Sequence, residues 1–463
     1  MMKKRIAVGA AMLLATGTIG MQVMAAEAAD VSVEPIEVYV TIADSEGALA
    51  LAQEPVAVTD MDDDGVLTIN DALYCAHEAC YEGGAEAGYG SAFGDYGLSM
   101  TKLWGAENGG SYGYRVNDQS AWSLEDPVAD GDYVNAYVYT DLTAWSDTYC
   151  YFDAPIGLAE KEEEITLVLN AAGYDEAYNP IAVPVAGAVI TVDGEATEFV
   201  TDEEGKVTLT LDEEGIHVIS AQSETQNLVP PVCTAAVGFK AVTVTISDDT
   251  GALVLIQEPV LVNDADEDGA ITIHDALFCA HEQNYEGGAE AGYASEEGEY
   301  GLSMTLLWGV DNGGSYGYYV NDVSAWSLLD PVATGDCINA YAFTDLTAWS
   351  DTYCYFNSRE MDVTVGDAAE LVLLAAAFDS DYNPITVPVE GAVLVVDGEA
   401  TDIVTDAEGK AVFTVEKEGL YIVSAVSDSQ TLVPPVCLIH AQETEVTAEG
   451  VADGSAEETA DGE

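Results

Sequence analysis

Aspartate recurs at alternate positions in Asp60-Met61-Asp62-Asp63-Asp64-Gly65-Val66-Leu67-Thr68-Ile69-Asn70-Asp71. Counted as a twelve-residue loop, the segment has carboxylates at positions 1, 3, 5 and 12 and Gly65 at position 6, where the chain must turn sharply. Val66 at position 7 offers a backbone carbonyl, and Thr68 at position 9 ligates directly or through water. Asp264, Asp266, Asp268, Ala270, Thr272 and Asp275 repeat these roles, with Gly269 at the turn. Hard oxygens gathered from one short loop suit calcium, which takes about six to eight of them. Leu67, Ile69, Ile271 and Ile273 fall on the packing positions between the carboxylates, which sets the pattern apart from a plain acidic turn. The sequence therefore predicts two calcium sites, one per repeat. Carboxylates this crowded repel one another without an ion, so metal binding should contribute to folding free energy.

The spacing resembles the loop of EF-hand proteins, and aspartate at position 12 is a trait shared with dockerin loops. A dockerin carries two such loops close together. Here they lie 204 residues apart, so a cohesin-binding role is not implied.

Other reactive groups are fewer. Ser111 in Gly109-Gly110-Ser111-Tyr112-Gly113 and Ser315 in its twin match a nucleophile turn, which requires a strand before and a helix after. An alternating segment follows instead, so a glycine-rich hairpin is expected and a serine hydrolase is the least favoured reading. His77 and His281 each stand in Cys-Ala-His-Glu, with tyrosine where a zinc protease would place its second histidine. Eight cysteines without a Cys-x-x-Cys pair point to disulfides rather than zinc. Each repeat has four, which allow three pairings. Cys80 and Cys337 lack counterparts at the equivalent positions, so a bridge between these two is a further option. Trp122 and Trp326, each in Ser-Ala-Trp-Ser within a polar stretch, suit stacking on a ligand or anchoring a protein contact if exposed, with burial in the core the alternative for either one.

The elements that must position these residues are written twice. Asp60, Cys75, Trp104, Cys150 and Cys233 recur as Asp264, Cys279, Trp308, Cys354 and Cys437, each offset by 204, so a whole unit is duplicated. Within each unit a first part (37–153, then 240–357) mixes strands with one helix. Glu37 to Ile42, Leu98 to Trp104, Tyr112 to Val116 and Tyr133 to Tyr139 read as strands, and Ile69 to Cys80 has helical spacing, giving an α+β layer. A second part (154–237, then 358–440) alternates throughout, with a hairpin signal at Asp193-Gly194 and a turn at Thr201 to Lys206, as in a small all-β sandwich. From 441 to 463 the chain is acidic without apolar period, as in a disordered tail.

Two further resemblances attach to these parts. The first part carries Ile69-Asn70-Asp71-Ala72-Leu73, Gly113-Tyr114-Arg115-Val116-Asn117-Asp118 and Asp130-Gly131-Asp132-Tyr133-Val134, repeated at Ile273–Leu277, Gly317–Asp322 and Thr334–Ile338. These strings resemble a secreted family related to the C-terminal domain of transcobalamin, with Asn-Asp where that family has Asn-Gly in the hairpin. The resemblance implies a β-grasp-like fold and contact with a corrinoid or similar small ligand. The second part resembles bacterial immunoglobulin-like domains of surface proteins. The expected architecture is thus α+β, β-grasp-like modules alternating with immunoglobulin-like sandwiches, in duplicate.

Composition bounds the partners. Among 463 residues, 84 acidic against 11 basic side chains leave a formal charge of −73, which excludes nucleic acid and anionic lipid because little is available to neutralise phosphates. Lys3, Lys4 and Arg5, the apolar run from Ile6 and the small residues at Val23 and Ala25 read as a secretory signal over 1–25. No later segment is apolar enough to span a membrane. The expectation is an exported, non-enzymatic bacterial protein, secreted or on the cell surface, that binds an extracellular protein or glycan adhesin-fashion. Corrinoid binding is the alternative.

Overall fold

The computed structural model describes residues 35–442, apart from 63, 95–96, 155, 176, 299–300 and 382. The expected leader over 1–25 lies outside the described residues, as does the acidic tail from 443 on; Ala441 and Gln442 end a strand, Cys437–Gln442. The described chain is mostly β. It divides into a larger compact unit, running to Thr245 and including Gln257–Gly309 and Ala325–Ile338, and a second of Ile246–Ile256, Val310–Ser324 and Asn339 onward.

In the larger unit the chain opens with β1 (Ile36–Ala43), β2 (Leu49–Val58), α1 (Ile69–Cys80), the single turn α2 (Gly84–Gly88), and the hairpin β3 (Gly90–Gly94) and β4 (Gly97–Lys102). Then come β5 (Tyr112–Val116), β6 (Gln119–Ser120) and β7 (Tyr133–Val138). These strands form a mixed sheet in the order β2-β1-β7-β5-β6, with β1 and β7 parallel at its centre. β1 is covered on both faces. Val38, Val40 and Ile42 meet α1, while Tyr39, Thr41 and Ala43 are buried on the opposite side. Helical spacing in α1 aligns Ile69, Leu73 and Ala76 on one stripe, all three fully buried against Leu51, Val56 and Val58.

The strand expected to run to Trp104 ends at Lys102, because Trp104 adopts a left-handed conformation (φ 48) that breaks the extended run. Gly113 on β5 is demanded by a close approach. A Cβ there would lie 2.1 Å from Cζ of Tyr137 on the neighbouring strand.

A β-sandwich follows, from β8 (Asp147–Phe152), β9 (Ile156–Ala159), β10 (Glu164–Tyr174), β11 (Pro180–Pro184) and β12 (Val189–Val192) to β13 (Glu195–Val200), β14 (Lys206–Thr210), β15 (Gly215–Gln222), β16 (Asn227–Val229) and β17 (Cys233–Val237). One sheet runs β11-β10-β8-β16, with β14 also on β10; the other runs β13-β12-β15-β17-β9. Their inner faces enclose Phe152, Leu167, Leu169, Ile190, Leu209 and Ile219. The outermost strand β11 begins and ends in proline and is exposed along its length. β8 pairs with β10 and β16, so the transition between parts falls before Asp147 rather than at the expected 153/154. The second unit holds a matching sandwich from Thr352–Phe356 to Cys437–Gln442, closed around Phe356, Leu371, Leu373, Leu394 and Ile439.

Replacing Gly113 by alanine forces the Tyr137 ring aside. The expected loss is about 1–3 kcal/mol, the usual cost of overpacking, read from urea denaturation. Wild-type stability in the variant would refute this account of the contact.

Candidate metal loops and exposed tryptophans

Each acidic loop is folded by its own aspartates. Asp60 accepts from the backbone N–H of Asp64 (3.2 Å) and Gly65 (2.8 Å), and Asp64 from Val66 N–H (2.9 Å). Gly65 at φ +88 and Gly269 at φ +93 take the left-handed turn that position 6 requires. Oxygens of Asp60, Asp62 and Asp71 lie within 4.8 Å of one another in the first loop, and those of Asp264, Asp266 and Asp268 do so in the second. The carboxyls of Asp62 and Asp266 are raised, chiefly by what burial they have and further by neighbouring aspartates.

The last two candidate ligand positions are also helix caps. Thr68 is the N-cap of α1 and Asp71 its third residue, in a reciprocal capping box. The fully buried Asp71 accepts from Met61 N–H (3.1 Å), Thr68 N–H (3.0 Å) and the Thr68 hydroxyl (2.5 Å). Asp275 does the same for Ala265 and Thr272. Val66 and Ala270 stand at the exits of the two turns, their N–H groups held by Asp64 and Asp268.

The free amides at the start of α1 lead to the tryptophans. Ile69 N–H donates to Asp126 O (3.1 Å), Asn70 N–H to Leu124 O (2.9 Å), and Val128 N–H to Leu67 O (2.9 Å). The segment thus stitched to the acidic loop carries Trp122, whose backbone N–H donates to Asp126 (2.6 Å). Leu124 is fully buried two residues on, yet Trp122 is 94% exposed. The second copy repeats every part: Ile273 and His274 donate to Asp330 O and Leu328 O, Val332 to Ile271 O, and Trp326 is 93% exposed.

The remaining candidates resolve differently. His77 is buried, with Nδ1 2.6 Å from Leu73 O and Nε2 accepting from Trp104 N–H at 3.0 Å. His281 pairs likewise with Leu277 O and Trp308 N–H. Both ring nitrogens are used in the neutral form, and burial pulls each imidazole down to about 4. Strand β5 follows Ser111, in place of the helix that a nucleophile turn needs. The cysteines among the described residues stand as thiols, without the expected disulfides. Cys75 and Cys80 sit on α1, while Cys150 and Cys233 lie in the sandwich core with Cys150 Sγ donating to Val229 O (3.1 Å).

Sequence reasoning missed a network on the sheet face away from α1. Tyr149 Oη donates to Asp118 (2.7 Å), and the Arg115 guanidinium lies 4.3 Å from the centre of the Tyr149 ring. Burial raises the Asp118 carboxyl, while Tyr149 and Arg115 hold it down. In the second copy Tyr353 Oη donates to Asp322 (2.9 Å), but the cation is Arg359 (2.5 Å), and Tyr319 stacks on Tyr353 where Arg115 would lie. Position 319 is the equivalent of 115, and 359 that of 155, so the exchange is invisible to a repeat alignment.

No family model and no curated protein matches the chain. Among solved structures, the chain is similar to Bacteroides ovatus mixed-linkage glucan utilization locus SGBP-B in complex with a mixed-linkage heptasaccharide (11% identity, 62% of this chain, TM-score 0.15), of which it spans only 65%. It is also similar to the D0-D1 domain of intimin (11% identity, 63% of this chain and 97% of that one, TM-score 0.13) and to the N-terminal four Ig domains of Dscam1 (9%, 67% and 76%, 0.14). At such TM-scores the likeness carries no argument about ligand or activity.

Both histidines should stay neutral until well below the ordinary range. Since the folded value lies below the unfolded 6.5, their stabilisation is complete above pH 6.5 and is lost as pH falls through about 4, by about 3 kcal/mol each. Imidazole NMR titration checks this; a midpoint near 6.5 for either ring contradicts the buried pairing.

Proposed function

We propose that the chain is an exported, non-enzymatic binding protein whose two α+β modules each hold one calcium ion and present one tryptophan to an extracellular glycan or protein. The observation that carries this reading is the placement of Trp122 and Trp326, each over nine-tenths exposed on a segment fastened to the metal loop. An indole left in water on an ordered, duplicated loop is not core, and it suits stacking on a flat ligand or anchoring a partner. Duplication adds avidity without new chemistry.

The donor set supports a hard divalent cation. It is all oxygen, rich in carboxylates, and includes the exits at Val66 and Ala270. The ion would be held by Asp60, Asp62, Asp64 and Asp71, with Thr68 close by, and in the second copy by Asp264, Asp266, Asp268 and Asp275 beside Thr272. It would remove the mutual repulsion of these carboxylates and stiffen the turn from which the tryptophan segment hangs.

Hairpin, helix, and a parallel central pair in the order β2-β1-β7-β5 support the β-grasp-like reading of the module and its likeness to the transcobalamin C-terminal domain. The two-sheet parts support the immunoglobulin-like spacers. Corrinoid binding gains less. The aromatic cleft beside β7 has a volume of about 190 Å³, below the roughly 300–1,000 Å³ of pockets that enclose drug-sized ligands.

Calcium should release heat on titration into chelated protein, and EDTA should lower Tm by roughly 5–10 °C. Indifference to both would remove the metal from the account. Replacing Trp122 and Trp326 together by alanine should weaken capture on a glycan array or from host secretions by about thirtyfold or more, with Tm unchanged. EDTA should reproduce that loss in the wild type. Retained capture by the double variant would exclude the tryptophans as the contact.

A further inference from the structure

The sheet face opposite α1 and the start of the sandwich enclose a cleft of about 190 Å³ within the larger unit. It is larger than the ~150 Å³ cavity that admits a benzene-sized guest, so one six-membered ring fits. Its walls include Tyr137, Tyr149 and Tyr151, with Tyr137 stacked on Tyr149 at 5.9 Å and Tyr149 on Tyr151 at 6.3 Å. Asn135, between Tyr133 and Tyr137 on β7, brings a side-chain amide to the lining, and Tyr151 brings a phenol. Tyr355, the counterpart of Tyr151, hydrogen-bonds Thr386 at 3.1 Å; the position equivalent to Thr386 is Ala182, which can offer no such bond. Tyr133 is also in the lining, and its hydroxyl is buried without a hydrogen-bond partner, an exception that native interiors rarely keep without a reason.

Charge selects the guest. An anion is disfavoured by a chain of net charge −73. The place a cation would take over the Tyr149 ring is held by Arg115, which also offsets Asp118. A neutral molecule remains, with an apolar face for the rings and hydroxyls for the amide and phenol. We propose that this cleft binds a single neutral pyranose, free or as the terminal unit of a glycan, with Asn135 and Tyr151 as its polar contacts. The second copy differs where it matters: Cys337 replaces Tyr133, and Tyr319 stacks on Tyr353 at 3.6 Å. One site per chain is therefore expected. The site is separate from Trp122 and does not rest on the function proposed above.

The test is saturation-transfer NMR and calorimetry on the full chain with glucose, galactose, mannose and N-acetylglucosamine, each also as its methyl glycoside. At least one sugar should bind at one site per chain with Kd of about a millimolar. A methyl glycoside that still binds marks a glycan terminus as the source, and one that does not marks the free sugar. Asn135→Ala and Tyr151→Phe should each weaken binding roughly threefold to tenfold, and Trp122→Ala should leave it unchanged. The proposal is overturned if no sugar binds, if both cleft variants bind as the wild type does, or if Trp122→Ala alone abolishes binding. That last outcome would leave the tryptophan reading standing.

Discussion

The amino end of helix α1 is the junction on which the module depends. A helix start leaves four N–H groups without intrahelical partners. Here the Thr68 hydroxyl takes that of Asp71, the Asp71 carboxylate takes that of Thr68, and the tryptophan segment takes those of Ile69 and Asn70. One short stretch of backbone therefore fixes three things together: the exit of the acidic loop, the entry of the helix into the core, and the attitude of an exposed indole. The second copy preserves the same bonds, although His274 replaces Asn70 and Leu329 replaces Glu125.

Acidity imposes the other constraint. With 84 carboxylates and 11 basic groups, most acids can have no cationic partner. Backbone amides take that place. Asp141 accepts from Thr143, Ala144 and Ser146, Asp175 from Ala177 and Asn179, and Asp202 from Glu204 and Lys206, with twins at Asp345, Asp379 and Asp406. Amide bonds from Ala144 and Thr143 with the Ser146 hydroxyl hold the Asp141 carboxyl down at about 2, and the Ser350 hydroxyl with amides of Ala348 and Thr347 does the same for Asp345, without any nearby positive charge. Aspartate is here the material of which turns are made.

What the chain reveals before folding follows from how local each signal is. Helix α1 was legible because apolar period, N-cap and third residue lie within a few positions of one another, and its bounds are those expected. The sharp turn at Gly65 and Gly269 in the acidic loops was legible for the same reason. The join at β8 was not, since alternation marks a strand without saying which sheet it enters. The turn at Trp104 depends on a histidine 27 residues earlier. The tyrosine cleft gathers residues from β1, β2, β7, β8 and the segment after Val229, and no linear pattern spans such a set. The arginine exchange between copies was hidden because substitution at one site was answered from a different strand connection.

Strand β11 and its counterpart Pro384–Pro388 lie at the rims of their sheets, capped by proline at each end. Such a rim presents few donors in register to a neighbouring chain. Each of these rims is consequently a poor template for strand-to-strand pairing between copies.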